Sequence, residues 1–102
     1  MASVDIVEQT KINSEIKEPP MFKIIYLNDN VTTMEFVIDS LMNFFDYTAD
    51  TAVQITQDIN ESGSAVVAVL PYEVAEQKGI EVTVCARSAS MPLQIKLEPE
   101  GV

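Results

Sequence analysis

The chain has 102 residues, which is enough for one domain with a single hydrophobic core. Sixteen acidic residues against six basic ones give a net charge of −10, which disfavours nucleic acid and anionic membranes and favours a cationic partner. With no histidine and one cysteine, the chain cannot form a Cys/His zinc site, an intrachain disulfide or a histidine-dependent catalytic triad. We therefore expect no metal and no cofactor, and we expect Cys85 to be buried.

The first twenty residues mix polar and apolar types without a sustained period and end in Pro19-Pro20. They lack the basic start and apolar core of a secretory signal, and their acidic residues disfavour a transit peptide. No apolar run approaches the roughly 18 residues that a membrane helix needs. The sequence thus predicts a cytoplasmic protein with a flexible extension over 1–20 and a folded domain over 21–102.

The folded part opens with FKIIYLN, residues 22–28, whose β-branched and aromatic residues predict a central strand. A helix follows, with an apolar stripe formed by Met34, Val37, Ile38, Leu41, Phe44 and Phe45. Thr32 or Thr33 caps this helix, and Thr32 with Glu35 fits a capping box.

A second helix is predicted from TADTAVQITQDINESG, with Thr48 or Asp50 as its cap and Gly63 as its end. Its predicted inward face consists of Ala52, Ile55, Thr56 and Ile59. SAVVAVLP and PLQIKLE read as the second and third strands.

The segment between those two strands has two interpretations. Ala75, Gly79, Val82 and Ala86 form a helical face of mostly small residues, whereas Ile80, Val82 and Val84 alternate as in a strand. Local propensity favours the strand, but a helix gives an ordinary right-handed crossover. We therefore expect an α/β (α+β) two-layer sandwich with the order β-α-α-β-α-β, in which the first strand lies antiparallel between the other two.

Several separated motifs, in this order, resemble the ClpS family of Clp-protease adaptors over roughly residues 19–98: PPMFKIIYLNDN, TTMEFV, FF at 44–45, GSAVVAV, PYEVAEQK, AR at 86–87 and MPLQIKLE. The fold also resembles the C-terminal domain of the ribosomal stalk protein. The resemblance implies a non-catalytic, monomeric adaptor that binds neither nucleic acid nor membranes. Such an adaptor holds proteins by a free N-terminal Leu, Phe, Tyr or Trp and delivers them to the ClpA unfoldase of the ClpAP protease.

The resemblance also implies roles for individual residues. It implies that the substrate amino group is bound by Asn28, Asp29, Asn30 and Asn60. It implies a hydrophobic pocket formed by Thr32, Met34, Val37, Ile38, Thr56 and Ile59, with Met34 as the gatekeeper that rejects side chains branched at Cβ. Glu73 and Lys78 match positions that contact the N-terminal domain of the unfoldase.

Two positions depart from the family pattern, which usually has Asp in place of Asn30 and His in place of Asn60. A modulator or decoy that docks on the unfoldase with altered or lost peptide binding is therefore the alternative function. Taken without the resemblance, residues 28 to 30 read as turn and cap residues and Met34 as a core residue. An enzyme with Asp29 and Glu35 as an acid/base pair is the weakest hypothesis, because no nucleophile or metal accompanies them.

Overall fold

The computed structural model describes residues 19–101. The elements are β1 Met21–Leu27, α1 Met34–Phe45, α2 Ala49–Ser62, β2 Ser64–Pro71, α3 Tyr72–Ser88 and β3 Gln94–Pro99. This order confirms the predicted α+β fold. Residues 1–18 of the predicted extension lie outside the described residues.

The three strands form one sheet in the order β2-β1-β3, and β1 is antiparallel to both neighbours. β2 and β3 therefore run parallel to each other, as the predicted crossover requires. Ile24 and Tyr26 of β1 are fully buried, which explains why this strand is so apolar. Leu27, the last residue of β1, pairs with Ser64 on one side and Gln94 on the other. The chain that leaves β1 thus starts between both outer strands.

The helices cover the core side of the sheet with their predicted apolar residues. The buried cluster consists of Ile24, Tyr26, Val37, Leu41, Ala52, Ile59, Val67, Ala75, Val82, Ala86 and Leu93. A buried hydrogen bond of 2.9 Å joins the hydroxyls of Tyr26 and Ser40, and the Ser40 hydroxyl also lies 2.8 Å from the Val37 carbonyl, to which it can donate. These contacts fix α1 on the central strand. Among residues 19–101, no helix has the length and hydropathy to cross a membrane.

The cap of α1 is Thr33, so the capping box predicted for Thr32 and Glu35 is wrong. The Thr33 hydroxyl accepts the Phe36 N–H at 3.1 Å. Thr32 lies two positions before the first residue of α1, and its N–H and its hydroxyl both donate to Asp29. At α2, Thr48 is the cap and accepts the Thr51 N–H, in agreement with one of the two predicted alternatives.

α3 is a helix, so the topological argument was right and the local strand preference was wrong. Its residues Ala75, Val82 and Ala86 are buried against the sheet. Ile80 and Val84 point away from the core and are 53% and 60% exposed. The exposed position of Cys85 corrects the prediction that it is buried. Because Val82 and Ala86 face the sheet, the helical spacing carries Cys85 away from it.

Candidate functional site

A cavity of about 290 Å³ opens where β1 ends, between the first turn of α1 and the last two turns of α2. Its lining is Asn28, Asp29, Asn30, Thr32, Met34, Val37, Thr56, Ile59 and Asn60. The fold therefore brings together nine of the ten residues predicted for the amino-group site and the pocket. These residues come from two separate parts of the chain and meet because α1 packs on α2.

Ile38, the tenth residue, does not line the cavity and packs against the hydrophobic core. Its place in the pocket wall therefore stays a prediction. Ile38 lies one position beyond Val37, and one residue is a rotation of about 100° around a helix. Val37 both lines the cavity and belongs to the buried core cluster, whereas the partly buried Ile38 packs against that cluster from another side of α1.

The Asp29 carboxylate organises the loop between β1 and α1. Its Oδ1 accepts the Val31 N–H at 2.8 Å and the Thr32 N–H at 2.6 Å, and its Oδ2 accepts the Thr32 hydroxyl at 2.7 Å. Burial by itself would raise the pKa of Asp29, but these hydrogen bonds and the charge of Arg87 lower the pKa below its ordinary value. The mouth of the cavity therefore carries a negative charge at neutral pH.

A backbone hydrogen bond joins the two walls of the cavity. The Asn28 N–H donates to the Gly63 carbonyl at 2.8 Å, so the end of β1 is tied to the end of α2. Gly63 has a φ of 90°, in the left-handed region that glycine adopts without strain, and its own N–H donates to the Ile59 carbonyl. The helix end that carries Ile59 and Asn60 is thereby held beside Asn28.

The interior of the cavity is less polar than its mouth. Val37, Thr56 and Ile59 are almost fully buried, with exposed fractions of 6%, 4% and 3%. The Thr56 hydroxyl donates to the Ala52 carbonyl at 2.7 Å, so this buried polar group is satisfied within its own helix. Met34 is 49% exposed and lies at the rim.

Oxygen acceptors at the mouth and apolar groups inside suit one kind of ligand. An ammonium group has three donors and no acceptor, and amide and carboxylate oxygens can accept those donors. An apolar side chain attached next to the ammonium would fill the interior. Within residues 19–101, no cluster of His, Cys, Asp and Glu side chains could hold a metal ion.

Glu73 and Lys78 lie on the first half of α3, and both are at least partly exposed. Lys78 follows Glu73 by five positions, which is a rotation of about 140° around a helix. The two side chains consequently lie on different sides of α3 rather than on one face. Glu73 also lines a shallow cavity with Pro19 and Pro20, the point where residues 1–18 join the described chain.

The hydrogen bonds of Asp29 agree with the interpretation of residues 28 to 30 as turn residues, which the sequence supports without the resemblance. An aspartate followed two and three residues later by free N–H donors is typical of an Asx-type turn. The resemblance assigned Asp29 to the ligand alone, whereas the structure shows that the same carboxylate also shapes the loop.

Comparisons with known proteins agree with this geometry. The family model of the ATP-dependent Clp protease adaptor protein ClpS matches residues 17–96. The ATP-dependent Clp protease adapter protein ClpS of a Campylobacter jejuni strain is 41% identical over 100 residues, which cover 98% of this chain and all of the relative. The protein of the same name from an Escherichia coli strain is 39% identical over 94 residues, covering 92% of this chain and 89% of the relative.

A solved structure is also similar. ClpS2 of Agrobacterium tumefaciens, bound to L-phenylalaninamide, has a TM-score of 0.79 and 36% identity, and the match covers 81% of this chain and all of that chain. The relatives are named as adapter proteins rather than enzymes, which confirms the expectation that the protein is not an enzyme. The chain belongs to the ClpS family of ATP-dependent Clp protease adaptor proteins.

Proposed function

We propose that this adaptor binds proteins with a free N-terminal Leu, Phe, Tyr or Trp and delivers them to the N-terminal domain of a ClpA-type unfoldase. The observation that carries the proposal is the cavity at the end of β1, in which acceptors for an ammonium share one lining with the buried apolar side chains of Val37 and Ile59. L-phenylalaninamide, the ligand of the similar Agrobacterium protein, also combines an α-amino group with an apolar side chain.

The amino group of the substrate is held by Asn28, Asp29, Asn30 and Asn60, which all line the cavity. Only Asp29 carries a formal charge, and its lowered pKa keeps it ionised at neutral pH. A hydrogen bond to a charged group contributes about 1.5 to 3 kcal/mol, roughly twice a neutral one. Asp29 therefore provides the strongest polar contact with the substrate amino group. The three asparagine amides accept further hydrogen bonds from that group without adding charge.

The substrate side chain enters between Val37 on α1 and Thr56 and Ile59 on α2. A cavity of about 290 Å³ is at the lower end of ligand sites, which suits a single large side chain. Burying a Leu or Phe side chain contributes roughly 1.5 to 3 kcal/mol. Met34 at the rim sets the width available near the substrate Cβ.

Delivery uses a different part of the molecule. Glu73 and Lys78 contact the unfoldase, and residues 1–20 form the segment that the unfoldase engages during transfer. Pro19 and Glu73 line the same shallow cavity, and the Tyr72 N–H donates to the Pro20 carbonyl at 3.2 Å. The C-terminal end of the engaged segment thus lies beside Glu73, one of the two proposed docking residues.

The test is a titration of the full-length protein with fluorescent peptides that start with Leu, Phe, Tyr, Trp, Ile or Met, each paired with an N-acetylated control. We expect the first four to bind and their acetylated forms to lose binding, because an acetylated nitrogen is neutral and has one donor. Equal binding of a peptide and its acetylated form would contradict the proposal.

Asn30 and Asn60 at the cavity mouth favour one alternative, a modulator or decoy that occupies the unfoldase without presenting substrates. The family usually has a carboxylate and an imidazole at these positions, so this chain has fewer groups that can be charged there. A protein that binds the unfoldase but none of the free-amine peptides would support this alternative.

A further inference from the structure

We propose that a track leading away from the cavity selects an apolar side chain at the third residue of the bound peptide, with Val31 as the main contact. The proposal rests on the proposed function, because it concerns how the same peptide continues beyond its first residue.

Two more concave regions continue from the mouth of the cavity. The first, of about 290 Å³, shares Asn28 and Asp29 with the cavity and is completed by Leu27, Pro92 and Gln94. The second, of about 400 Å³, shares Pro92 and Gln94 with the first and adds Val31, Arg87, Ser90 and Met91. A surface track therefore leads from the amino-group site to Val31 and Met91, and it becomes shallower toward Val31.

Several contacts hold the walls of this track in place. Leu27 pairs with Gln94, which joins the end of β1 to the start of β3. The Arg87 Nη1 donates to the Met91 carbonyl at 3.0 Å and to the Leu93 carbonyl at 2.8 Å, which fixes the turn before β3. Such a wall binds a peptide without first having to be ordered.

The Asp29 carboxylate links the amino-group site to the track. Its Oδ1 accepts the Val31 N–H at 2.8 Å, so the residue that would bind the ammonium also positions Val31. The Val31 side chain is 62% exposed, although it is apolar and lies beside Pro92 and the half-buried Met91. Covering it with an apolar side chain is therefore favourable.

The spacing of an extended peptide assigns this contact to the third residue. Successive side chains of an extended chain point in opposite directions, and each residue advances it by about 3.3 Å. If the first side chain enters the cavity, the second points to solvent, and the third points to the protein again about 7 Å further along. The second residue should therefore have little influence on affinity.

The experiment compares peptides that start Phe-Ala-Leu, Phe-Ala-Ser and Phe-Leu-Ser and are otherwise identical, using fluorescence anisotropy with the full-length protein. We expect Phe-Ala-Leu to bind about three- to tenfold more tightly than Phe-Ala-Ser, and Phe-Leu-Ser to match Phe-Ala-Ser. The Val31→Ser variant should abolish the advantage of Leu while it still binds Phe-Ala-Ser. Val66→Ser is the matched control, because Val66 is 48% exposed and lines none of the three regions.

Equal affinity for Phe-Ala-Leu and Phe-Ala-Ser, with acetylation still abolishing binding, would overturn the track and leave the proposed function intact. An advantage of Leu that persists in Val31→Ser would also overturn the role of Val31. Failure of every free-amine peptide to bind would overturn the proposed function itself, and the track with it.

Discussion

The Asp29 carboxylate binds Thr32 twice, through the Thr32 N–H at 2.6 Å and through the Thr32 hydroxyl at 2.7 Å. This double contact holds the chain between β1 and α1 in one conformation and places the carboxylate at the mouth of the cavity. Asp29 therefore has two roles, because it supplies the negative charge at the cavity mouth and it fixes the shape of the loop. A substitution of Asp29 would remove both.

We expect Asp29→Ala to weaken binding of a Phe-starting peptide more than tenfold, because a charge-assisted hydrogen bond of about 1.5 to 3 kcal/mol is lost and the loop loosens. Asn30→Ala should weaken it less, since no formal charge is removed. Fluorescence anisotropy at pH 7 gives both values. An equal or larger effect of Asn30→Ala would contradict the role of Asp29.

Peptide binding should also depend on pH in a defined direction. Burial would raise the pKa of Asp29, but hydrogen bonds from Thr32 and Val31 lower it below its ordinary value of 3.8. Because the pKa of Asp29 is lowered in the folded protein, its carboxylate is ionised at every pH above 3.8. The hydrogen-bonded loop and the negative charge are lost only as the pH falls through the lowered pKa. Binding that already fails near pH 5 while the protein stays folded would argue against a lowered pKa at Asp29.

The half-exposed position of Met34 makes its proposed gatekeeper role testable without unfolding the protein. We expect Met34→Ala to admit Ile- and Val-starting peptides with little loss for Leu, because it removes bulk beside the substrate Cβ. Its free energy of unfolding should change by less than about 1 kcal/mol, since Met34 is 49% exposed.

Met42→Ala is the control for that experiment. Met42 lies on the same helix but packs against the core, so its loss should lower stability and leave peptide selectivity unchanged. If Met34→Ala binds the same set of peptides as the native protein, Met34 is not the gatekeeper.

Docking on the unfoldase should be separable from peptide binding. We expect Lys78→Glu to weaken binding to the unfoldase severalfold and to leave peptide affinity unchanged, because Lys78 lies on α3, outside the cavity. Lys23→Glu makes the same change in net charge on β1 and should have little effect. Equal loss in both variants, measured by surface plasmon resonance, would point to net charge rather than to a specific surface.

Deleting residues 1–18 should separate docking from delivery. The deletion keeps Pro20, whose carbonyl accepts the Tyr72 N–H, so the start of α3 retains this contact. We expect the shortened protein to bind peptide and unfoldase but not to accelerate degradation of a Leu-starting reporter by ClpAP. Degradation at the full rate would show that the segment has no part in transfer.

The buried Tyr26 hydroxyl should make the fold sensitive to alkaline pH. Burial, partly offset by the Ser40 hydrogen bond, raises the pKa of Tyr26 to about 12. The unfolded chain loses this proton near its ordinary value of 10.0, so stability should fall between those two values by about 2 to 3 kcal/mol. In urea titrations from pH 8 to 11, Tyr26→Phe should be less stable at pH 8 but should lose less stability on going to pH 11.

The fold could be predicted from the sequence because its patterns agree with one another. Each of three sequence patterns corresponds to an element with a single apolar face. They are the apolar stripe on α1, the inward face of α2 and the alternating residues of β3. α3 was ambiguous because it has apolar residues on both sides, and only the topology distinguished the buried Val82 from the exposed Val84. The prediction that Cys85 is buried was wrong because it used how often free cysteines are buried in proteins. That frequency does not tell on which side of a helix a given cysteine lies.

The nine cavity residues were predicted through resemblance rather than spacing, since they lie in two separate segments that meet only after folding. Ile38 was assigned to the pocket by the same resemblance, and motif matching does not resolve a single step around a helix. Thr33 rather than Thr32 makes the capping contact, and propensity alone does not distinguish two adjacent threonines.

The order of the strands has a consequence for the way the protein is made. Among the described elements, the central strand β1 is the first to leave the ribosome, yet both of its neighbours come later, and Phe22 must find Leu70 and Pro99. Until β3 is synthesised, one edge of the most apolar strand has no partner, while α1 and α2 can already pair locally. Assembly of the sheet is therefore completed only when the last strand has left the exit tunnel, and a chain that stops before Gln94 would expose an aggregation-prone edge.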